Sequence, residues 1–264
     1  MSAAIEVAVI GIGLLGPGLA DWASGAARLR DPTSWQRRPT EVPPPARLPA
    51  TERRRAGTVV KASIVVADEA VTAAGLDAAE LATVFTSSTG DPVNCHLLCE
   101  ALAAPESLVS PTRFTNSVHN APAGYWHIAC ASRAPSTSLA AFDASFAAGL
   151  LEAAVQCRAS GAPVLLVACD VPYPEPLHAL RPVADTFAVA LLIAPPGLGR
   201  ALSIRITPEA SATPCTDAGL EDLRRTIPAA RALPLLLALA GDAAASLILE
   251  GLPGMALQVD LASR

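Results

Sequence analysis

The segment from Ser136 to Glu152, STSLAAFDASFAAGLLE, places a short apolar strand directly before a small-residue turn and an amphipathic helix. A cysteine in such a turn gains thiolate character, because the unpaired amides of the helix N-terminus favour negative charge. The turn contains no cysteine, and Asp143 stands at its centre between Phe142 and Ala144. A carboxylate is a poor nucleophile toward a thioester. Whichever of these three residues occupies the reactive position, we expect no nucleophilic catalysis from this turn.

Asp143 also has a purely structural interpretation. Aspartate is a preferred N-cap residue, and the helix predicted from about Ala144 to Ser160 begins directly after it. An N-cap role needs no ligand, so it is the simpler explanation of an aspartate at this position.

A second polar and aromatic segment, SVHNAPAGYWHIA, contains His119, Asn120, Tyr125, Trp126 and His127. A serine hydrolase could use such a histidine as its base, but the chain has no G-x-S-x-G motif to supply the nucleophile. A structural role is therefore the simpler interpretation of both histidines.

Two further patterns suggest cofactors only superficially. Gly11, Gly13 and Gly16 spell G-x-G-x-x-G, but Pro17 and Gly18 follow at once and no acidic residue ends a second strand about 20 residues later. The motif CHLLC, with Cys95, His96 and Cys99, lacks the second ligand pair of a typical zinc site. We predict neither a nucleotide cofactor nor a metal.

The remaining pattern is an alternation of strands and helices. Predicted strands cover Ile5–Gly11, Leu81–Thr86, Pro135–Phe142, Val164–Cys169, Thr186–Ala194 and Leu202–Ile206, with a terminal pair at Ala245–Leu249 and Met255–Leu261. Predicted helices cover Arg55–Ala74, Phe114–Ala129, Ala144–Ser160 and Thr216–Leu239. Continuous apolar strands are typical of sheets covered on both faces, so we predict a layered α/β fold.

Composition limits the classes of function. The 264 residues carry a net charge of -5 and no sustained basic block, which argues against a nucleic-acid partner. No apolar run approaches the ~20 residues of a membrane span, and the N-terminus does not resemble a signal peptide. The six cysteines do not form a disulfide framework, so we expect a cytoplasmic protein.

The segments STSLAAFDASFAAGLLE and SVHNAPAGYWHIA both resemble segments of the β-ketoacyl synthases. STSLAAFDASFAAGLLE is similar to the Thr-Ala-Cys-Ser-Ser elbow and helix of these enzymes, with Asp143 at the cysteine position, and the likeness runs from Ile5 to about Pro195. Within the family the chain resembles the short chain length factors, found beside ketosynthases in gene clusters for aryl polyenes, flexirubin-type pigments and related polyketides. The resemblance implies the N-terminal half of a thiolase-like ketosynthase fold, a layered α/β structure with a mixed five-stranded sheet. Residues 1–200 would form the ketosynthase-like N-terminal domain, and residues 201–264 a C-terminal extension packed on it.

The resemblance also implies a role for each part. No histidine lies beyond His178, so the downstream histidines of a ketosynthase are missing and the chain is expected to be a catalytically inert subunit. It would pair with an active ketosynthase through the strand Ser136 to Phe142 and meet the acyl carrier protein through that complex. Candidates for contacts with the acyl pocket or the partner are Phe142, Phe146, His119, Asn120, Tyr125 and Trp126.

Two other functions stay open. The chain could be an independent acyltransferase or decarboxylase that uses another residue, such as Cys130 or His119. It could also be a homodimeric module that binds acyl chains without any ketosynthase.

Overall fold

The computed structural model describes residues 4–264. The strands are β1 (Ile5–Leu15), β2 (Ala82–Thr86), β3 (Ser136–Leu139), β4 (Val164–Asp170), β5 (Phe187–Ala194), β6 (Arg200–Pro208), β7 (Ala245–Glu250) and β8 (Met255–Leu261). The α-helices are α1 (Trp22–Arg30), α2 (Ala50–Arg55), α3 (Thr58–Ala74), α4 (Pro92–Ala103), α5 (Pro111–Thr115), α6 (Ala121–Cys130), α7 (Ser145–Ser160), α8 (Leu177–Leu180), α9 (Ala218–Thr226) and α10 (Leu233–Ala240). The alternation confirms the predicted α/β class.

All eight strands form one mixed sheet in the order β3-β2-β4-β5-β1-β6-β8-β7. The pairs β2–β3 and β2–β4 are parallel, and the other pairs are antiparallel. The sheet implied by the resemblance has five strands, three fewer than the observed sheet. The sheet gains three strands because β6 pairs with the free side of β1, and the C-terminal hairpin of β7 and β8 continues from β6.

The two faces of the sheet bury separate apolar clusters. On one face α3 covers β1, β4 and β5, and α6 packs against α3 and β2 with Trp126 inside the cluster. On the other face α7 packs on β4, and the C-terminal residues around Leu233 and Leu236 complete the cluster. Residues beyond 200 therefore supply part of the core beside α7.

The glycines of β1 allow a helix to pack unusually close. A Cβ at Gly13 would overlap the backbone carbonyl of Val66 in α3, and one at Gly11 would overlap that of Ala70. The strand runs on to Leu15, beyond its predicted end, because these glycines lie inside it. Gly11 and Gly13 therefore serve packing, and the next helix along the chain begins only at Trp22.

Two predicted helices are broken in the structure. The helix predicted from Phe114 to Ala129 divides into α5 and α6 at a turn through Asn116 and Asn120. The one predicted from Thr216 to Leu239 divides into α9, a 3-10 turn and α10, since Pro228 is the first residue of the turn and Pro234 lies in the first turn of α10.

Candidate functional site

The site is a tight elbow between β3 and α7. Phe142 has a φ of 52°, a left-handed conformation that costs a residue with a side chain about 1–2 kcal/mol. Ser145 fixes the turn, because its Oγ accepts from the Ala141 amide at 3.0 Å and donates to the Phe142 carbonyl at 2.6 Å. The elbow is therefore strained at Phe142 and held from within.

The carboxylate of Asp143 forms two ion pairs with arginines from distant parts of the chain. Its Oδ1 lies 2.6 Å from Arg181 Nη2, and its Oδ2 lies 3.1 Å from Arg231 Nη2. The N-cap of α7 is Ala144, with no side-chain capping bond, so the predicted N-cap role of Asp143 was wrong. The ion pairs supply the partners that an N-cap bond would have supplied.

Both arginines are themselves fixed. Arg181 Nη2 donates to Ser88 Oγ at 2.7 Å, and its Cζ lies 3.8 Å from the centroid of the Phe142 ring. Arg231 Nη1 lies 2.6 Å from Glu250 Oε2, on the last residue of β7. The polar network thus joins the elbow to the turn after β2 and to the C-terminal hairpin.

The two phenylalanines of the elbow have opposite environments. Phe142 is 66% exposed and lines an open cavity of about 700 Å³ between the elbow and residues 209–212 and 250–255. Phe146 is only 1% exposed and packs within the apolar cluster around α7. Phe142 is therefore positioned to contact another molecule, whereas Phe146 is core.

The four predicted residues of the SVHNAPAGYW segment also divide into two pairs. His119 and Asn120 are exposed, with His119 Nε2 3.3 Å from the Ser87 carbonyl oxygen. Trp126 is 0% exposed and Tyr125 8%, and the Tyr125 hydroxyl donates to Asn116 Oδ1 at 3.1 Å. His119 and Asn120 are accessible to a partner, whereas Tyr125 and Trp126 are buried and cannot contact one in this conformation.

Asp170, at the end of β4, is a central residue that the sequence analysis missed. Its Oδ1 accepts four hydrogen bonds, from the Ser88 and Thr89 amides and from the hydroxyls of Ser87 and Thr89. Burial raises the pKa of this carboxyl, although the hydrogen bonds act in the opposite direction. The signal in the sequence was a lone acidic residue ending an apolar strand.

Five of the six cysteines have thiols that are less acidic than a free cysteine. Burial raises the pKa of Cys130 to about 11, despite the nearby Arg47 guanidinium. Burial also raises the thiol pKa of Cys95, Cys157, Cys169 and Cys215. Thiols with raised pKa values are protonated at neutral pH and react slowly.

The cysteines of the CHLLC motif do not assemble a metal site. His96 Nε2 lies 3.3 Å from Glu100 Oε1, one turn further along α4. Among residues 4–264 there is no group of three or more His, Cys, Asp or Glu side chains placed to hold a metal. Within the same residues, no helix is long and apolar enough to cross a membrane.

The outer side of β3 is open. The Thr83 amide donates to the Pro135 carbonyl, and the Ser87 amide donates to the Leu139 carbonyl. Because successive residues of a strand direct their backbone groups to opposite sides, the N–H and C=O groups of Ser136 and Ser138 face away from β2. Within the described part of the chain, β3 has no second strand neighbour. Of the 14 large apolar residues that are exposed among residues 4–264, half lie within residues 93–142, which flank this edge in sequence and include Phe114 and Phe142.

Comparison with known proteins gives a family. The family described as β-ketoacyl synthase, N-terminal domain, matches residues 26–239, which is more than half of the chain. No curated protein matches the sequence at a significant level.

Solved structures share the fold over their full length. The chain is 23% identical to a chain in the ketosynthase ApeO in complex with its chain length factor ApeC from Xenorhabdus doucetiae, with a TM-score of 0.73, covering 98% of this chain and 99% of that one. It is 14% identical to a chain of the ishigamide ketosynthase/chain length factor, with a TM-score of 0.74 and coverages of 97% and 99%. It is 13% identical, with a TM-score of 0.75 and complete coverage of both chains, to one in AntDE:AntF, a type II acyl-carrier protein in complex with its ketosynthase. These likenesses establish the thiolase-like fold.

Proposed function

The chain belongs to the β-ketoacyl synthase family, and we propose that it is a catalytically inert subunit, a chain length factor, that pairs with an active ketosynthase. Its complex would extend a chain bound to an acyl carrier protein in the cytoplasm, in polyketide biosynthesis of the aryl polyene kind. Its own contribution would be to stabilise the partner and to shape the space for the growing chain.

The observation that carries this proposal is the occupant of the elbow. The resemblance assigns Asp143 to the nucleophile position, with neither neighbour, Phe142 nor Ala144, able to act as a nucleophile, and both carboxylate oxygens of Asp143 are engaged by arginines. A carboxylate held in two ion pairs is neither a nucleophile toward a thioester nor free to act as a base. The raised pKa values of five of the six cysteines supply no replacement.

Pairing with a partner is supported by the open edge of β3. Unpaired N–H and C=O groups on an edge strand form a template for another strand, and the exposed apolar residues of 93–142 would extend the contact. A stable heterodimer buries ~2,000 Å² or more, so a four-residue strand needs such flanking surface.

Control of chain length is proposed for Phe142 alone. Its ring is exposed beside the cavity of about 700 Å³, so it can limit the space open to an acyl chain at the partner interface. Phe146 was predicted with it, but its burial makes it a packing residue.

The test is a condensation assay with acyl and malonyl carrier-protein thioesters. The purified chain alone should give no product above an Asp143→Ala control, and Asp143→Cys should not restore turnover, because the downstream histidines are also missing. Addition of the cognate ketosynthase should give product. Condensation by the isolated chain, lost in Asp143→Ala, would overturn the proposal.

An independent acyltransferase that uses Cys130 is disfavoured, because burial raises the pKa of this thiol to about 11 and leaves it protonated at neutral pH. The homodimeric acyl-binding module is favoured by one observation, the open β3 edge, which a second copy of the chain could also pair with. A stable self-dimer that does not exchange with a ketosynthase would support that module instead.

A further inference from the structure

Two arginines from distant parts of the chain converge on the elbow. Arg181 follows α8, and Arg231 lies in the 3-10 turn before α10, 38 and 88 residues from Asp143 respectively. We propose that Arg181 and Arg231, bound to Asp143 as an arginine clamp, are positioning residues that hold Phe142 in its projecting orientation. This inference rests on the proposed function, in which Phe142 bounds the acyl chain.

The orientation of Phe142 needs support. Its left-handed backbone conformation at a φ of 52° is one that a residue with a side chain leaves when it is free to do so. Ser145 fixes the backbone carbonyl of Phe142, but that contact does not reach the ring. The ring itself is two-thirds exposed and has little packing to fix it.

Arg181 supplies the missing support to the ring. Its guanidinium lies over the face of Phe142, with Cζ 3.8 Å from the ring centroid, well inside the range of a cation–π contact. The same Nη2 binds Asp143 Oδ1, on the next residue of the chain, at 2.6 Å. One guanidinium therefore constrains both the side chain of Phe142 and the backbone that carries it.

The clamp is anchored in rigid parts of the fold. Arg181 also donates to Ser88 Oγ, and the Ser88 amide donates to the buried carboxylate of Asp170 at 2.7 Å. Buried Arg181 Nε has no hydrogen-bond partner among the described residues, so the contacts of Nη2 and of the ring face set the position of the guanidinium. Arg231 ties the other carboxylate oxygen of Asp143 to Glu250.

A network that only stabilised the fold would have no effect specific to Phe142. The clamp instead predicts that loss of Arg181 releases the ring while the rest of the chain stays folded. Arg37 provides a matched control, because it forms an exposed ion pair with Asp222. Among residues 4–264, neither member of that pair makes a hydrogen bond or an ion pair with the elbow or the arginine clamp.

The orientation can be measured on the free chain by 19F NMR, with 4-fluorophenylalanine incorporated at position 142. Arg181→Ala should shift and narrow the resonance, Arg181→Lys should give an intermediate line, and Arg37→Ala should leave it unchanged. An unchanged line in Arg181→Ala, with a native circular dichroism spectrum, would overturn the inference. If Arg181→Ala does not fold, Arg181→Lys and Asp143→Asn give the same comparison.

The consequence for function is measured on the reconstituted complex with the ketosynthase. Phe142→Ala and Arg181→Ala should each shift the products toward longer chains, and Arg181→Ala should add nothing in the Phe142→Ala background, because it acts through that ring. Additive shifts would overturn the positioning role. Failure to form any complex would count against the proposed function, while the NMR result on the free chain would still decide whether the clamp exists.

Discussion

The two edge strands of the sheet, β3 and β7, differ in whether another segment of the chain covers their outer side. At the β7 edge, residue Thr213 lies alongside the strand, with its amide donating to the Ile248 carbonyl and its Oγ1 accepting from the Ile248 amide, both at 2.9 Å. At the β3 edge, the outward groups of Ser136 and Ser138 have no such cover within residues 4–264. One edge is closed by the chain itself, and the other is left available.

Proteins usually protect sheet edges, because an unprotected edge invites pairing with another chain. The cover on β7 shows that this chain can protect an edge with a short connecting segment. An uncovered β3, flanked in sequence by exposed apolar residues, is therefore the expected site of a specific partner.

The largest expected effect comes from a proline at the open edge. Ser138→Pro removes an N–H that faces away from β2, so the isolated chain should keep its fold. Pairing across the edge should weaken about 100-fold, since the lost hydrogen bond and the partner's carbonyl left unpaired together cost roughly 3 kcal/mol. Co-purification with the ketosynthase measures this.

Ser246→Pro is the matched control, because Ser246 holds the corresponding outward position on β7. It should leave the complex intact. Equal loss of the complex from both variants would break the comparison between the edges.

A second large effect concerns the turn beside the open edge. Asp170→Ala would leave the Ser88 and Thr89 amides without their acceptor, and we expect a loss of about 3 kcal/mol in the free energy of unfolding. Asp170→Asn should cost less than about 1 kcal/mol, because Oδ1 accepts all four bonds and an amide oxygen can replace it. Urea denaturation at pH 7 compares the two; equal losses would mean that charge matters more than the acceptor.

The pH dependence of Asp170 has a defined sign. Its pKa is higher in the folded state than in the unfolded state, so the folded chain binds more protons. Its contribution to stability is then present at low pH and falls as the pH rises from about 4 through the raised pKa. The stability of Asp170→Asn should fall less with pH over this interval, and parallel curves for the variant and the parent would contradict the assignment.

A smaller effect is expected from the exposed apolar residues within 93–142. Phe114 is exposed in α5, and Phe114→Ala should weaken the complex about tenfold, equivalent to ~1.4 kcal/mol, without changing stability. Leu198→Ala is the control, because Leu198 is equally exposed in the turn between β5 and β6. Isothermal titration with the ketosynthase separates them; no difference would remove Phe114 from the interface.

The smallest effect concerns the covered edge. Thr213→Val keeps the shape of the side chain but removes the acceptor of the Ile248 amide, so it should cost about 1 kcal/mol of stability. Ketosynthase binding should be unchanged. Weaker binding in this variant would mean that the covered edge also takes part in the complex.

The buried half of this architecture was predictable from the sequence. The strands β4 and β5 are continuous apolar runs, and their predicted bounds differ from the observed ones by one residue at one end each. Helix α7 was predicted as well, since its spacing and its terminal Gly161 are local signals. A continuous apolar run predicts a strand that is buried on both faces of the sheet.

The elbow was predictable only in part. Its position between β3 and α7 followed from the resemblance, but the role of Asp143 did not, because Arg181 and Arg231 come from later parts of the chain. The local sequence favours an N-cap role for Asp143, but in the structure its carboxylate forms ion pairs with these two arginines instead. The burial of Tyr125 and Trp126 was missed for a similar reason, since aromatic residues in a polar segment suit a surface and a core equally.

The proposed function requires a ketosynthase to pair at the β3 edge, and amide hydrogen exchange tests this directly. With the cognate ketosynthase bound, the peptide containing Ser136 to Leu139 should gain strong protection, while the β7 peptide containing Ser246 and Ile248 should not change. A stable complex in which the β3 peptide exchanges as fast as in the free chain would contradict the account.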